Sequence, residues 1–321
     1  MPQPIALGLI GFGIMGERLL RAAMEHATES VTPVAVWDPA PEAAARLAAV
    51  APGVPMLASA EAVIAACDCL YVAAPPAAHI PLAEAAFAAG RAVFLEKPLA
   101  TDLGLARDFV ARAEASGARA AVNFPMASSP AVAQLAQWQA ALAPAALEIE
   151  VGFATWPRGW QQGAVGWLGR RAEGGFTREV VSHFLFLTRR RLGPLVLQEA
   201  SVTYPAGDGD GAETAIRARL TAGGVPVTLL GGVGTTAKDD HNTWTLNGAI
   251  RLRDWSFAEK LGADAAWAQA PDAQPNEKMR PLVLRGQLAG VAAMTRGEPH
   301  HLATLREALE VQEVVEAILA A

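Results

Sequence analysis

Three groups of residues in this 321-residue chain have types and spacings suited to chemistry. Glu96-Lys97-Pro98 closes the apolar run Ala92-Val93-Phe94-Leu95. A lysine at the end of a buried strand is expensive to ionise, so it is expected to be paired or to do chemistry. Glu179 and His183 stand four residues apart and share a face if that segment is helical. An imidazole backed by a carboxylate can pass a proton to or from an oxygen or nitrogen near neutral pH. The third group is GFGIMG, Gly11-Phe12-Gly13-Ile14-Met15-Gly16, which fits G-x-G-x-x-G. In that pattern the first glycine makes a tight turn, the second lets a pyrophosphate reach the backbone, and the third lets helix and strand pack closely.

The flanking segments have the periodicity needed to position these groups. Apolar runs at 5–10, 34–37, 70–73, 92–95 and 120–122 alternate with alanine-rich amphipathic stretches. That rhythm predicts a parallel sheet with right-handed crossovers, the doubly wound Rossmann arrangement. The glycine motif follows the first strand and opens the helix beginning at Glu17, and Asp38 ends the next strand. Asp38 is thus placed to accept from adenosine ribose hydroxyls, and no arginine or lysine follows it before Arg46. NAD is therefore expected over NADP. AAPPAAH, residues 73–79, sets Ala74 and Pro75 as a rigid, donor-poor lip beside the cofactor, and His79, which opens the following helix, is either a further cofactor-binding residue or a partly exposed helix-start residue.

From residue 123 the pattern changes. Strand-like segments at 147–156, 195–204, 214–222, 225–233, 243–249 and 250–255, separated by glycine and aspartate turns, predict an α+β domain with an open, mostly antiparallel sheet. Domains are expected at 1–122 and 123–321, with a C-terminal helix over 303–320. In the stretch that carries Glu179 and His183, Thr177 is the expected helix N-cap after Gly174-Gly175, and Arg189 to Arg191 followed by Gly193 suit the helix end.

Composition excludes several classes of function. A formal charge of −6 with a pI near 5.6 gives no basic footprint for nucleic acid. Charges, prolines or glycines interrupt each apolar stretch short of a membrane span, and the first ten residues lack a basic leader. A cytoplasmic enzyme is expected. Cys67 and Cys69 are too close for a disulfide and too few for a zinc site, so no metal is expected.

GFGIMG, AAPPAAH and AAFAAGRAVFLEKPLA, in that order, closely resemble the Gfo/Idh/MocA family of pyridine-nucleotide oxidoreductases, whose hallmark is E-K-P at a strand end. Residues 303–318 also resemble the family's C-terminal helix. The resemblance implies that Lys97 projects toward nicotinamide and substrate, that Glu96 helps to hold lysine and ribose with Asn123 nearby, and that Lys97-Pro98 is a cis bond. It also implies a double glycine, an aspartate and, four residues on, a catalytic histidine. His183 fits, and Glu179 takes the aspartate's place. A homo-oligomer formed through the C-terminal sheet is implied as well.

Two departures bear on the substrate. Phe186 stands where the family has an aspartate, and Phe124-Pro125-Met126 where it has an arginine, so polar groups that serve sugars are missing. Trp156, Trp160 and Trp167 interleave with Arg158 and Arg170-Arg171 just before Glu179. They suggest a pocket for a ring or apolar body bearing an anion, or else a loop pinned by its tryptophans. The leading expectation is an NAD-dependent dehydrogenase or reductase acting on a small carbonyl, alcohol or imine. Its rivals are a non-enzymatic nucleotide sensor on the same fold and an NAD-dependent glycosidase, which would call on Tyr71 or Tyr204.

Overall fold

The computed structural model describes residues 2–207, 209–237 and 240–321, and the chain forms two compact units. The first runs to Ser128 and regains residues 280–309, and the second comprises residues 129–279 and 310–321. A single break after residue 122 was the simpler expectation. The chain instead returns, and residues 280–309 join the first unit.

In the first unit, β1 (Ile5–Ile10), β2 (Val31–Trp37), β3 (Cys69–Val72), β4 (Ala92–Leu95) and β5 (Ala120–Val122) form one parallel sheet in the order β2-β1-β3-β4-β5. β3 and β4 are buried at every position, as strands covered on both faces must be. The crossovers carry α1 (Ile14–His26), α2 (Ala43–Val50), α3 (Ala60–Ala66), α4 (His79–Ala88) and α5 (Leu103–Ala115). Ser59 caps α3 and Asp102 caps α5, accepting from the backbone N–H of Ala62 (3.2 Å) and Leu105 (2.8 Å). Strand order reverses at β1, so the crevice past the carboxyl ends of β1 and β3 is the switch point where such sheets bind ligands. Cys67 and Cys69 are free and buried, and burial pushes their thiols up to about 11 and about 12.

The second unit opens with α6 (Pro130–Gln139), whose cap is Ser129. Its sheet has eight strands in the order β13-β12-β11-β10-β6-β9-β8-β7. These are β6 (Leu147–Phe153), β7 (Leu195–Thr203), β8 (Ala215–Ala222), β9 (Val225–Val233), β10 (His241–Leu246), β11 (Ile250–Arg253), β12 (Phe257–Leu261) and β13 (Trp267–Gln269). All pairings are antiparallel except β6 with β9. Between β6 and β7 lie α7 (Val165–Leu168), a π-helical turn over Thr177–Val181 and α8 (Ser182–Leu192). α8 packs on the sheet through Thr188, whose hydroxyl accepts from the Trp244 indole of β10 at 2.9 Å. α9 (Asn276–Arg296) and α10 (Leu305–Leu319) complete the chain, each divided between the units. Among the described residues no helix is long and apolar enough to cross a membrane, and none cluster as metal ligands.

Candidate active site

In the first unit, the glycine motif leaves β1 and turns into α1 at the switch point. Gly11 has φ +91°, and a Cβ there would lie 2.5 Å from the Ala73 carbonyl, so only glycine lets this turn close against the end of β3. A Cβ on Gly16 would lie 2.1 Å from the Gly11 carbonyl oxygen, so this glycine closes the loop on itself rather than onto the strand. Gly13 differs: nothing stands within 4 Å of where its Cβ would be. It is also the N-cap of α1 and provides no side-chain hydrogen bond to the first turn. Open space over an uncapped helix N-terminus is the cradle that a pyrophosphate requires, and the loop fits NAD in this respect. Phe12 is fully buried, so only its backbone could take part in binding, while Ile14 is exposed and Met15 half-buried.

Asp38 accepts from the backbone N–H of Phe12 (2.6 Å) and of Ala40 (2.8 Å), which ties the end of β2 to the glycine loop. Arg46 of α2 returns to the same loop, donating to the Phe12 carbonyl and lying over the Phe12 ring. Arg46, set aside from the sequence as too far beyond Asp38, is thus brought back to the loop by α2.

His79 is 1% exposed, a correction to its reading as a partly exposed helix-start residue. Its Nδ1 lies 2.8 Å from the Pro98 carbonyl and its Nε2 2.8 Å from the Ala74 carbonyl. The ring joins the turn after β3, including Pro75, to the E-K-P turn. Burial holds its pKa below the ordinary value, against the pull of both carbonyls. The ring thus braces the two turns against each other.

Lys97 is half-buried at the end of β4, and Lys97-Pro98 is cis. Behind it runs a buried polar chain. Tyr71 Oη and Asn123 Nδ2 (2.6 Å) both donate to Glu96 Oε1, and Gln287 Nε2 of α9 donates to Asn123 Oδ1. Burial, then the neighbouring Glu96 charge, holds the Tyr71 phenol well above its usual pKa, so it stays a donor. Asn123 and Glu96 thus meet directly. Tyr71 and Gln287 were not foreseen, because β3 reads as plain core and α9 is far along the chain.

In the second unit, the double glycine has a steric cause. A Cβ on Gly174 would lie 2.3 Å from the Leu168 carbonyl oxygen, and one on Gly175 (φ +95°) 2.1 Å from Glu213 Oε2. Glu213 is buried, and its Oε1 accepts from the Thr177 N–H at 2.7 Å. Thr177 is therefore not the helix N-cap. It already lies inside the π turn, and its backbone N–H is met by a carboxylate that the chain supplies just ahead of β8. Burial holds Glu213 above the usual carboxylate range, against the Thr177 hydrogen bonds.

The π turn ends where Ser182 Oγ donates to the Arg178 carbonyl at 2.7 Å. A wider turn frees that carbonyl from its ordinary helical donor, and the hydroxyl takes it up. Glu179, half-buried, lies in this turn, and His183, 8% exposed, starts the regular helix. The His183 ring meets the Trp255 indole edge-to-face, with centroids 5.2 Å apart at 71°.

The tryptophan and arginine loop divides. Arg158 lies between Trp156 and Trp160, with Cζ 5.4 Å and 4.8 Å from the ring centroids. It bonds Gln161 at 3.1 Å and pairs with Asp240 at 3.4 Å. Burial lowers its pKa, while the charges of Asp240 and Glu179 oppose that shift, so Arg158 stands within electrostatic reach of Glu179. Trp156 pins the loop: its indole donates to the Leu168 carbonyl at 3.1 Å, and its ring packs on Phe153 and Phe176. Arg170 and Arg171 go elsewhere. Arg170 is exposed and faces Asp210 at 3.8 Å, and Arg171 lies over the Tyr204 ring. Trp160 and Trp167 are exposed.

Residues 5–124 match the family model described as "Oxidoreductase family, NAD-binding Rossmann fold", Gfo/Idh/MocA. No curated protein matches the chain. Among solved structures, an oxidoreductase from Agrobacterium radiobacter in complex with NAD+, L-tartaric acid and magnesium is 16% identical, with TM-score 0.80 over 98% of this chain and 96% of that one. A UDP-N-acetylglucosamine 3-dehydrogenase from Acidithiobacillus ferrooxidans is 18% identical, with TM-score 0.77 over 99% and 97%. An NAD binding oxidoreductase from Klebsiella pneumoniae is 18% identical, with TM-score 0.76 over 100% and 98%. At these identities the likeness is one of fold, and it extends over both units.

Proposed function

We propose that the chain is an NAD-dependent dehydrogenase or reductase of a small carbonyl, alcohol or imine substrate, a reading supported by the match of residues 5–124 to the NAD-binding Rossmann fold of the Gfo/Idh/MocA oxidoreductases. NAD, when bound, exchanges the hydride. The Gly11–Gly16 loop would hold its pyrophosphate, and Asp38 its adenosine ribose. Lys97 polarises the substrate heteroatom and His183 gives or takes its proton. Glu179 supports the imidazole. The observation that carries this reading is the chain Gln287–Asn123–Glu96–Tyr71, which fixes the carboxylate adjoining Lys97. A carboxylate held by so many buried polar groups has a fixed position next to the lysine, as a site residue requires.

The glycosidase alternative loses support from the tyrosines. Tyr71 is fully buried against Glu96, and Tyr204 donates to the Leu319 carbonyl while stacking with Arg171. For the substrate, Arg158 feels the charge of Glu179, and its guanidinium, lying over Trp156 and Trp160, suits a carboxylate or phosphate. The Agrobacterium radiobacter relative holds a dicarboxylic hydroxy acid, which puts hydroxy acids among the compounds to try. A cytoplasmic location and a homo-oligomer built on the eight-stranded sheet complete the proposal.

The experiment is a screen of hydroxy acids, keto acids, polyols, sugars and imines by reduced-nicotinamide absorbance. With the substrate so found, Arg158→Ala raises KM by roughly 30- to 150-fold for the acid but not for its neutral amide, whereas Arg170→Ala and Arg171→Ala leave both unchanged. Turnover in no member of the screen, with NAD bound, would favour the sensor instead.

A further inference from the structure

We infer that Trp255 is the positioning residue for the His183 imidazole, and that the chain tolerates a left-handed backbone at Trp255 in order to deliver it. This rests on the reading of His183 as the acid/base.

Two successive hairpins show the anomaly. The turn between β10 and β11 takes Asn247 and Gly248 at φ 55° and 62°, residue types that enter this region easily. The turn between β11 and β12 takes Asp254 at φ 47° and Trp255 at φ 70°. Aspartate tolerates this region, but in a bulky residue the Cβ crowds the following carbonyl, and such a conformation persists only where the surroundings enforce it. Glycine would relax the backbone there. The sequence instead places its largest kind of side chain at that point.

The turn is tied down from both sides. Asp254 N–H donates to the Asn242 carbonyl at 2.8 Å, and Asn242 N–H donates back to Asp254 Oδ1 at 3.1 Å. Arg253 reaches Asp254 Oδ2 at 2.8 Å and the buried Glu259 at 2.8 Å. Ser256 is fully buried. Held in this way, the indole projects onto α8, where it meets His183 at 5.2 Å and 71° and Phe184 at 5.2 Å and 51°. Edge-to-face contact is the arrangement that ring quadrupoles favour, and it restricts the rotation of both rings. A strained residue whose side chain lands on the candidate acid/base is the pattern of a group oriented for chemistry.

The test is a double-mutant cycle in the full-length protein on the substrate found by the absorbance screen. Trp255→Gly lowers kcat by roughly 10- to 100-fold, the scale of a misaligned catalytic group. The NAD Kd stays within twofold, the thermal midpoint does not fall because the backbone relaxes, and Trp255→Phe recovers most of the rate. In a His183→Ala background, Trp255→Gly costs nothing more. Full additivity with His183→Ala, or a kcat within threefold of wild type in Trp255→Gly, overturns the inference. If Trp255→Gly does not fold, Trp255→Leu takes its place in the cycle. A substrate-free measurement stands beside it: the His183 ring NMR signals shift and broaden in Trp255→Leu but stay sharp in Trp255→Phe, and unchanged signals in Trp255→Leu overturn the contact. Full activity in His183→Ala alone would instead remove the acid/base reading beneath it.

Discussion

The Glu213 carboxylate occupies the space where a side chain on Gly175 would stand, so the anion that meets the helix start and the glycine before it are two halves of one fitting. Gly175→Ala puts a methyl into that carboxylate at a left-handed φ. It should cost about 2 kcal/mol or more and displace the π turn that carries Glu179. Thermal melts and turnover measure both effects, and a variant as stable as wild type would contradict the fit.

The same carboxylate gives a pH dependence. Its raised pKa means that the folded chain holds the proton more tightly than the unfolded one. The stabilisation is then present at low pH and lost as pH rises through the folded value. Glu213→Gln keeps an acceptor for Thr177 without the charge, so its melting temperature should gain on wild type as pH is raised from about 4 to about 7. A gain that shrinks over that window has the wrong sign.

Lys97→Met should cut turnover by about 100-fold or more with NAD affinity nearly intact, as expected for losing the cation that polarises the substrate heteroatom. His183→Ala should be severely impaired and Glu179→Gln only moderately, since orienting a base is a lesser duty than moving the proton. Near-normal turnover in Lys97→Met would return that lysine to structure.

Asp38 and Arg46 meet at the two ends of one peptide residue, the N–H and the carbonyl of Phe12. Wild type should bind NAD more tightly than NADP. Asp38→Ser should narrow the gap, and Arg46→Ala added to it should widen the gap again by removing the cation that a 2′-phosphate could use. Fluorescence titration with both cofactors decides this, and a wild-type preference for NADP would overturn the role of Asp38.

Asn123→Ala takes the acceptor from Gln287 Nε2 and one of two donors from Glu96 inside the first unit, at about 2 to 3 kcal/mol in stability. Turnover should fall with it while Kd for NAD moves little. A fully active, fully stable variant would show that the chain behind Lys97 is dispensable.

The sequence disclosed most where a signal was local. β1, β4 and β5 were legible to the residue, because covered parallel strands are apolar runs. β2 starts earlier than its apolar run, through Pro33, which is tolerable because β2 is the sheet edge and needs no donor there. β12 went unseen because Glu259 makes it read as a solvated loop, although Arg251 and Arg253 neutralise that carboxylate where it is buried. The glycine loop, E-K-P and the Glu179–His183 spacing were visible as motifs. Glu213, Gln287, Trp255 and the bond of Tyr71 to Glu96 were not, since each acts on a partner far along the chain and no spacing announces it.

β6 is the first strand of its sheet in the chain, yet it lies in the middle, flanked by β9 and β10. The rest divides into two ribbons, β7-β8-β9 and β10-β11-β12-β13, each joined by pairings between consecutive strands. The ribbons can assemble early from local contacts, but closing either onto β6 means shutting a long loop. The capture of β6 should therefore be the slow step in folding, and Ile149→Ala or Val151→Ala, at buried positions of that strand, should retard refolding more than equally buried changes in β8.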